Sequence, residues 1–223
     1  MNTRYIWAAV LVCVFALGGC ASPARVDQMV TSGQPGQRVA QSQLRGNVAV
    51  SDVTGGKETN PMWKSSVGSD DFMQALEGSL RTVGLLAPTR QSGLYSLTAH
   101  LQNLDQPNFG FDMTVTASVL YAVVERKTGK EIFRKTIAVP YTAKMGDAFS
   151  GTERLKLANE GAIRTNITQL IDELFGLKIE GISVGIPGTN NEEKLKELKR
   201  LKDAGLISND VYVERQKVIL GGN

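Results

Sequence analysis

The stretch FDMTVTASVLYAVVER, Phe111 to Arg126, constrains this chain more than any other. Met113, Val115, Ala117, Val119, Tyr121 and Val123 occupy every second position. That period puts them on one face of a β-strand and is incompatible with a helix. Lys127-Thr128-Gly129-Lys130 then reads as a hairpin turn, and Glu131 to Lys144 as the returning strand. Phe133, Ile137, Val139 and Tyr141 share one face of that strand, interrupted by Lys135. Ile132, Arg134, Thr136 and Ala138 share the other. Pro140 has no N–H to give a ladder, so it implies an edge position or a bulge.

Upstream, Leu94 to Leu104 also alternates. Tyr95, Leu97, Ala99 and Leu101 face one way and Ser96, Thr98, His100 and Gln102 the other, the signature of a half-buried strand. Leu44 to Val53 carries a shorter alternation at Val48 and Val50 and is read as the first strand. Between them Thr54 to Gly68 is a long loop. Ser69-Asp70-Asp71 then supplies a cap and an acidic first turn, Phe72, Leu76, Leu80 and Val83 follow at helical spacing, and Gly84 ends the helix. Ser150 with Glu153 matches a capping box. The helix it opens runs to about Phe175, with Leu155, Ala158, Ala162, Ile163, Ile167, Leu170, Ile171 and Leu174 as its apolar stripe. The order β-α-β-β-β-α predicts an α+β domain over residues 44–178, a mostly antiparallel sheet with one face covered by two helices.

Composition narrows the chemistry. The chain has 223 residues, 42% hydrophobic and 21% charged, enough to bury a core. A net charge of +3 with no dense Lys/Arg cluster gives no nucleic-acid footprint. The single His, with no Cys after Cys20, argues against zinc and Cys–His chemistry. His100 reads as a surface residue on the polar side of its strand. Asp70-Asp71 is better explained by helix capping than by acid–base work. Gly55-Gly56-Lys57 lacks the Ser/Thr and the upstream Gly of a phosphate loop. No catalytic residue, metal site or cofactor is expected. Met62, Trp63, Phe109 and Phe111 lie in or beside loops; they form a recognition surface if exposed, and capping of the sheet ends is the favoured role.

The N-terminus points to export. Arg4 precedes an apolar run, Tyr5 to Leu17, of signal-peptide length and too short to span a bilayer. Its end, Leu17-Gly18-Gly19-Cys20, resembles the bacterial lipobox. That resemblance implies cleavage before Cys20, removal of residues 1–19 together with Cys13, and palmitate-type acylation of Cys20. Ala21 in the next position implies the outer membrane, facing the periplasm. Residues 20–43, rich in Ser, Gln, Gly, Pro and Ala, read as a flexible tether.

Residues 179–190 form a Gly-rich linker, after which the sequence turns charged and helical. Leu195, Leu198 and Leu201 form a stripe, Thr189 with Glu192 matches a capping box, Gly205 suits a helix end, and Ser208 can cap a second helix. Leu-Lys-Glu-Leu at 195–198, Leu-Lys-Asp-Ala-Gly-Leu-Ile at 201–207, Tyr212, and Lys-Val-Ile-Leu at 217–220 resemble the SHOCT domain, a short bacterial helical hairpin implicated in oligomerisation or ligand binding. The resemblance makes Leu195, Leu198, Leu201, Gly205, Leu206, Ile207, Tyr212 and Leu220 the candidate partner-binding residues of a hairpin over 191–220. The main domain resembles, in element order, the YajG-type lipoproteins. Together these imply a non-enzymatic, membrane-anchored interaction or assembly protein, with a periplasmic small-molecule or glycan binder as the alternative.

Overall fold

The structure is a computed structural model, and it describes residues 21–32, 42–61, 64–177, 191–203, 205 and 207–219. Two compact units divide at Leu177 and Lys178. The first holds α1 (Val26–Met29), β1 (Val48–Thr54), α2 (Ser69–Thr82), β2 (Tyr95–Asp105), β3 (Met113–Glu125), β4 (Glu131–Ala143) and α3 (Gly151–Gly176). The second holds α4 (Asn191–Asp203) and α5 (Asn209–Ile219).

The four strands lie in the order β1-β2-β3-β4. β1 runs parallel to β2, with α2 as the connection, and the other pairs are antiparallel. The sheet is therefore mixed, and the α+β class read from the sequence holds. Tyr95, Leu97 and Ala99 of β2 and Val115 to Val123 at alternate positions of β3 are buried on one face. Thr98, His100, Gln102, Thr114, Thr136 and Ala138 line the opposite face and are exposed. Pro140 sits on the edge strand β4, opposite Thr116, the edge position its missing N–H implies.

α2 buries Phe72, Ala75, Leu76, Ser79 and Leu80, one stripe at helical spacing. Each large apolar side chain of this kind contributes about 1.5–3 kcal/mol of burial free energy. The helix stops where Gly84 takes φ 74°, a left-handed position that costs glycine little. Its cap differs from the sequence reading. Gly68 holds the cap position, Ser69 lies inside the helix, and the Ser69 hydroxyl accepts a bond from Gly56 N–H at 3.0 Å. The capping box at Ser150 also fails to form. The Ser150 hydroxyl turns to Thr152 Oγ1 at 2.7 Å, and Glu153 pairs with Lys156 at 2.8 Å.

α3 lies along β3 and β4. Asn166 is wholly buried and donates from Nδ2 to the carbonyls of Ala117 (2.8 Å) and Ile137 (2.9 Å), while its Oδ1 accepts from the Tyr121 hydroxyl at 2.9 Å. Gly161 lets the helix approach the Tyr141 ring, which any Cβ at that position would strike.

The tether reading needs correction at its start. Residues 21–32 are a packed strap. Ala21, Ala24, Met29 and Thr31 are all buried. Arg25 N–H donates to Glu160 Oε1 at 2.8 Å, Thr31 N–H to Ser79 Oγ at 3.0 Å, and Arg164 donates to the Gln28 carbonyl. The segment lacks a period because it is held by one Met and by backbone polar groups, which leave no hydrophobic rhythm. Residues 33–41, the rest of the tether, lie outside the described residues.

In the second unit Leu198 is buried and Leu195, Leu201, Ile207 and Tyr212 are partly exposed. Gly205 takes φ 71° between the helices, and Ser208 caps α5 through its hydroxyl to Val211 N–H at 3.4 Å. The Lys202 ammonium stands 4.4 Å over the Tyr212 ring, a cation–π contact linking the two helices. Leu206, Leu220 and Thr189 lie outside the described residues.

Candidate functional site

The sheet places three loops at one end, the carboxyl end of the parallel β1–β2 pair. These are residues 55–61 and 64–68 after β1, 106–112 between β2 and β3, and 144–150 between β4 and α3. Gly55, at φ 83°, brings the first loop against the Leu101 backbone closer than any side chain permits.

Polar groups bolt the loops to α3. Asn159, wholly buried, donates to the Ser65 carbonyl at 3.1 Å and accepts from Gln106 Nε2 at 2.6 Å. Gln106 donates to the same Ser65 carbonyl at 2.9 Å. Asp112 joins the second loop to the third: its carboxylate takes Lys144 Nζ at 3.0 Å and Met145 N–H at 2.9 Å. These two donors hold the Asp112 carboxyl below its ordinary range. Arg154 donates to the carbonyls of Ala148 (2.7 Å) and Phe149 (3.0 Å).

The frame presents two surfaces. One is a cleft of about 310 Å³ beside the first loop, lined by Lys57, Glu58, Lys64, Gln102, Asn103 and Gln106 among others. The second is apolar. Phe109 is 88% exposed, Phe111 77%, Met145 58% and Phe149 fully exposed. The expectation that Phe109 and Phe111 cap the sheet end is thus overturned: both point away from it. Met62 and Trp63 lie outside the described residues. Met145 and Phe149 were not singled out from the sequence. The available signal is an apolar residue between turn formers, Met145-Gly146-Asp147 and Phe149-Ser150-Gly151.

His100 is exposed on the open sheet face and bonds Thr54 Oγ1 through Nδ1 at 2.8 Å. Gly55-Gly56-Lys57 is part of the cleft loop, and its Gly56 N–H is committed to Ser69. Among the described residues no three His, Cys, Asp or Glu side chains gather to hold a metal, and no helix is long and apolar enough to cross a membrane. Leu17, Gly18, Gly19 and Cys20 lie outside the described residues. Ala21, next in the chain, belongs to the loop end: its N–H donates to the Pro61 carbonyl at 2.7 Å.

This is an α+β domain whose loop end carries its three exposed phenylalanines among the described residues. No family model and no curated protein matches the chain. Solved structures do. A Xanthomonas campestris protein of the family DUF330 matches at 11% identity and TM-score 0.51, over 69% of this chain and 95% of its own. A candidate lipoprotein from Caulobacter crescentus matches at 14% identity and TM-score 0.44, over 63% and 94%. A minor lipoprotein from Acinetobacter baumannii matches at 10% identity and TM-score 0.40, over 60% and 94%. The likeness to the first is one of fold, and no activity passes with it.

Proposed function

We propose that this protein is a lipid-anchored component of the bacterial envelope, attached through acyl chains on Cys20 and acting without catalysis as an interaction or assembly module. The observation that carries this reading is the junction at Cys20. An apolar run of signal length ends in Leu17-Gly18-Gly19-Cys20, and one residue further on Ala21 is buried in a folded domain. Two or three acyl chains, at about 0.8 kcal/mol per buried CH₂, anchor such a domain stably. Ala21 favours the outer membrane, facing the periplasm. The SHOCT-like hairpin, with Leu195, Leu201, Ile207 and Tyr212 partly exposed, is the self-association or docking element; thirty residues bury too little surface to be stable alone.

Palmitate labelling in cells tests the anchor. Wild-type protein should incorporate label and Cys20→Ser should lose it; label persisting in the variant rejects the reading. Deleting residues 190–223 should lower the solution mass or release co-purifying partners. A second reading, capture of a small polar ligand or glycan, draws on the polar cleft at Lys57, Glu58 and Gln102. Calorimetric titration with envelope saccharides, repeated on Lys57→Ala, separates the two.

A further inference from the structure

The strap and the aromatic loops converge on the same end of the domain. Along α3, Thr31 meets Thr168, Gln28 meets Arg164, and Arg25 meets Glu160. The strap therefore runs parallel to α3, and its earlier residues lie toward the start of that helix. Glu160 sits nine residues into α3, about 14 Å from its first turn at 1.5 Å per residue. The five residues from Arg25 back to Ala21 lie outside any helix, and their four steps reach up to about 13 Å. Ala24 N–H bonds the Ser66 carbonyl at 3.3 Å and Ala21 N–H the Pro61 carbonyl on the way. The chain thus leaves the domain beside the loops that carry Phe109, Phe111, Met145 and Phe149.

We propose that Phe109, Phe111, Met145 and Phe149 form a lipid-facing patch that enters the interface of the same bilayer that holds Cys20. The proposal rests on the anchoring reading above. Ala21 is only 6% exposed, so no residue separates the acylated position from packed protein. An anchor without slack holds the nearest surface against the headgroups, and that surface carries three exposed phenylalanines. The neighbouring charges are engaged locally. Asp112 pairs with Lys144, and Asp147 accepts from Lys144 N–H at 2.7 Å. Nothing in these pairs must be stripped of a partner for the aromatic tips to enter the lipid boundary, where rings are favourably placed. The opposite end of the sheet carries Arg126, Lys127, Thr128 and Lys130 around the β3–β4 turn, with Leu94 as its one exposed large apolar side chain among the described residues and no exposed aromatic ring.

The test uses the full-length protein, processed in cells, extracted in detergent and reconstituted into phosphatidylethanolamine–phosphatidylglycerol vesicles. With Cys13 removed and Cys20 acylated, a single introduced cysteine takes a fluorophore at Phe111→Cys, Phe149→Cys or Lys127→Cys. Iodide quenching should be at least about fivefold weaker at the first two positions than at the third in vesicles. Equal quenching in vesicles by protein that carries palmitate overturns the patch and leaves the anchor standing. Absence of palmitate overturns both. Protection of positions 111 and 149 that persists in detergent and grows with protein concentration assigns the patch to a second copy and also overturns the proposal. Adding Phe109→Ser to the Phe149→Cys chain should raise quenching at position 149, and an unchanged value counts against a shared patch.

Discussion

The two ends of the sheet solve the problem of an exposed loop differently. At the β3–β4 turn the chain reverses through Lys127-Thr128-Gly129-Lys130, and its polar groups satisfy one another locally. Gly129 N–H bonds the Glu125 carbonyl at 2.8 Å, and Glu131 pairs with Arg134 at 2.6 Å. At the other end three loops are tied by buried polar bonds to α3 and then hold phenylalanines out into solvent. A turn that only reverses the chain has no use for such a frame. The difference teaches that the loop end is built to present something, while the turn end is built to close.

The largest test of that contrast is Asn159→Ala. It removes a buried donor to the Ser65 carbonyl and the acceptor of Gln106, so it should cost about 2–3 kcal/mol in denaturant unfolding. Amide exchange should rise in loops 55–68 and 106–112 and stay level at the β3–β4 turn. Equal increases at both ends would show that the frame is not local to the loop end.

A smaller effect separates the ends by pH. Glu160, 1% exposed, has its carboxyl raised above the ordinary value, chiefly by burial, with Arg25 N–H and Lys156 opposing. The folded chain therefore binds this proton more tightly than the unfolded chain. Its stabilising contribution is complete below the unfolded value of 4.5 and is lost as pH rises through the higher folded value. Glu131, at the turn end, behaves oppositely: the Arg134 bond lowers its carboxyl, and its exposed position screens the effect. Glu160→Gln keeps the acceptor for Arg25 N–H. Urea midpoints between about pH 4 and about pH 8 should fall more steeply with pH in wild type than in this variant. Parallel curves would remove Glu160 as the titrating hold on the strap.

What the sequence disclosed follows the same division. The β3–β4 hairpin, β2 and both long helices were legible because a half-buried strand and a half-buried helix each leave a hydrophobic period, as at Met113–Val123 and Leu155–Leu174. The strap was not, because Arg25, Gln28 and Thr31 are held through main-chain atoms that any side chain would supply. The caps at Ser69 and Ser150 misled for a related reason: their hydroxyls found closer partners in Gly56 and Thr152. The parallel pairing of β1 with β2 depends on where α2 lands on the sheet, which no local pattern encodes. The apolar loop tips were half legible. Phe109 and Phe111 stood out as aromatic in a loop, but exposure is a tertiary property and the sequence favoured the buried alternative.

The smallest expected change in stability is also the sharpest. Replacing Phe109, Phe111 and Phe149 together by Ser removes three large side chains, and in a core such a change would unfold the domain. Here the rings are 77% exposed or more and little is packed against them. The triple variant should therefore keep its unfolding free energy within about 0.5 kcal/mol of wild type. A loss of several kcal/mol would mean that the rings support the loop frame and that the two ends differ only in packing. An unchanged stability, with altered behaviour at vesicles, leaves the rings no structural role, and their exposure is then explained by what they meet outside the domain.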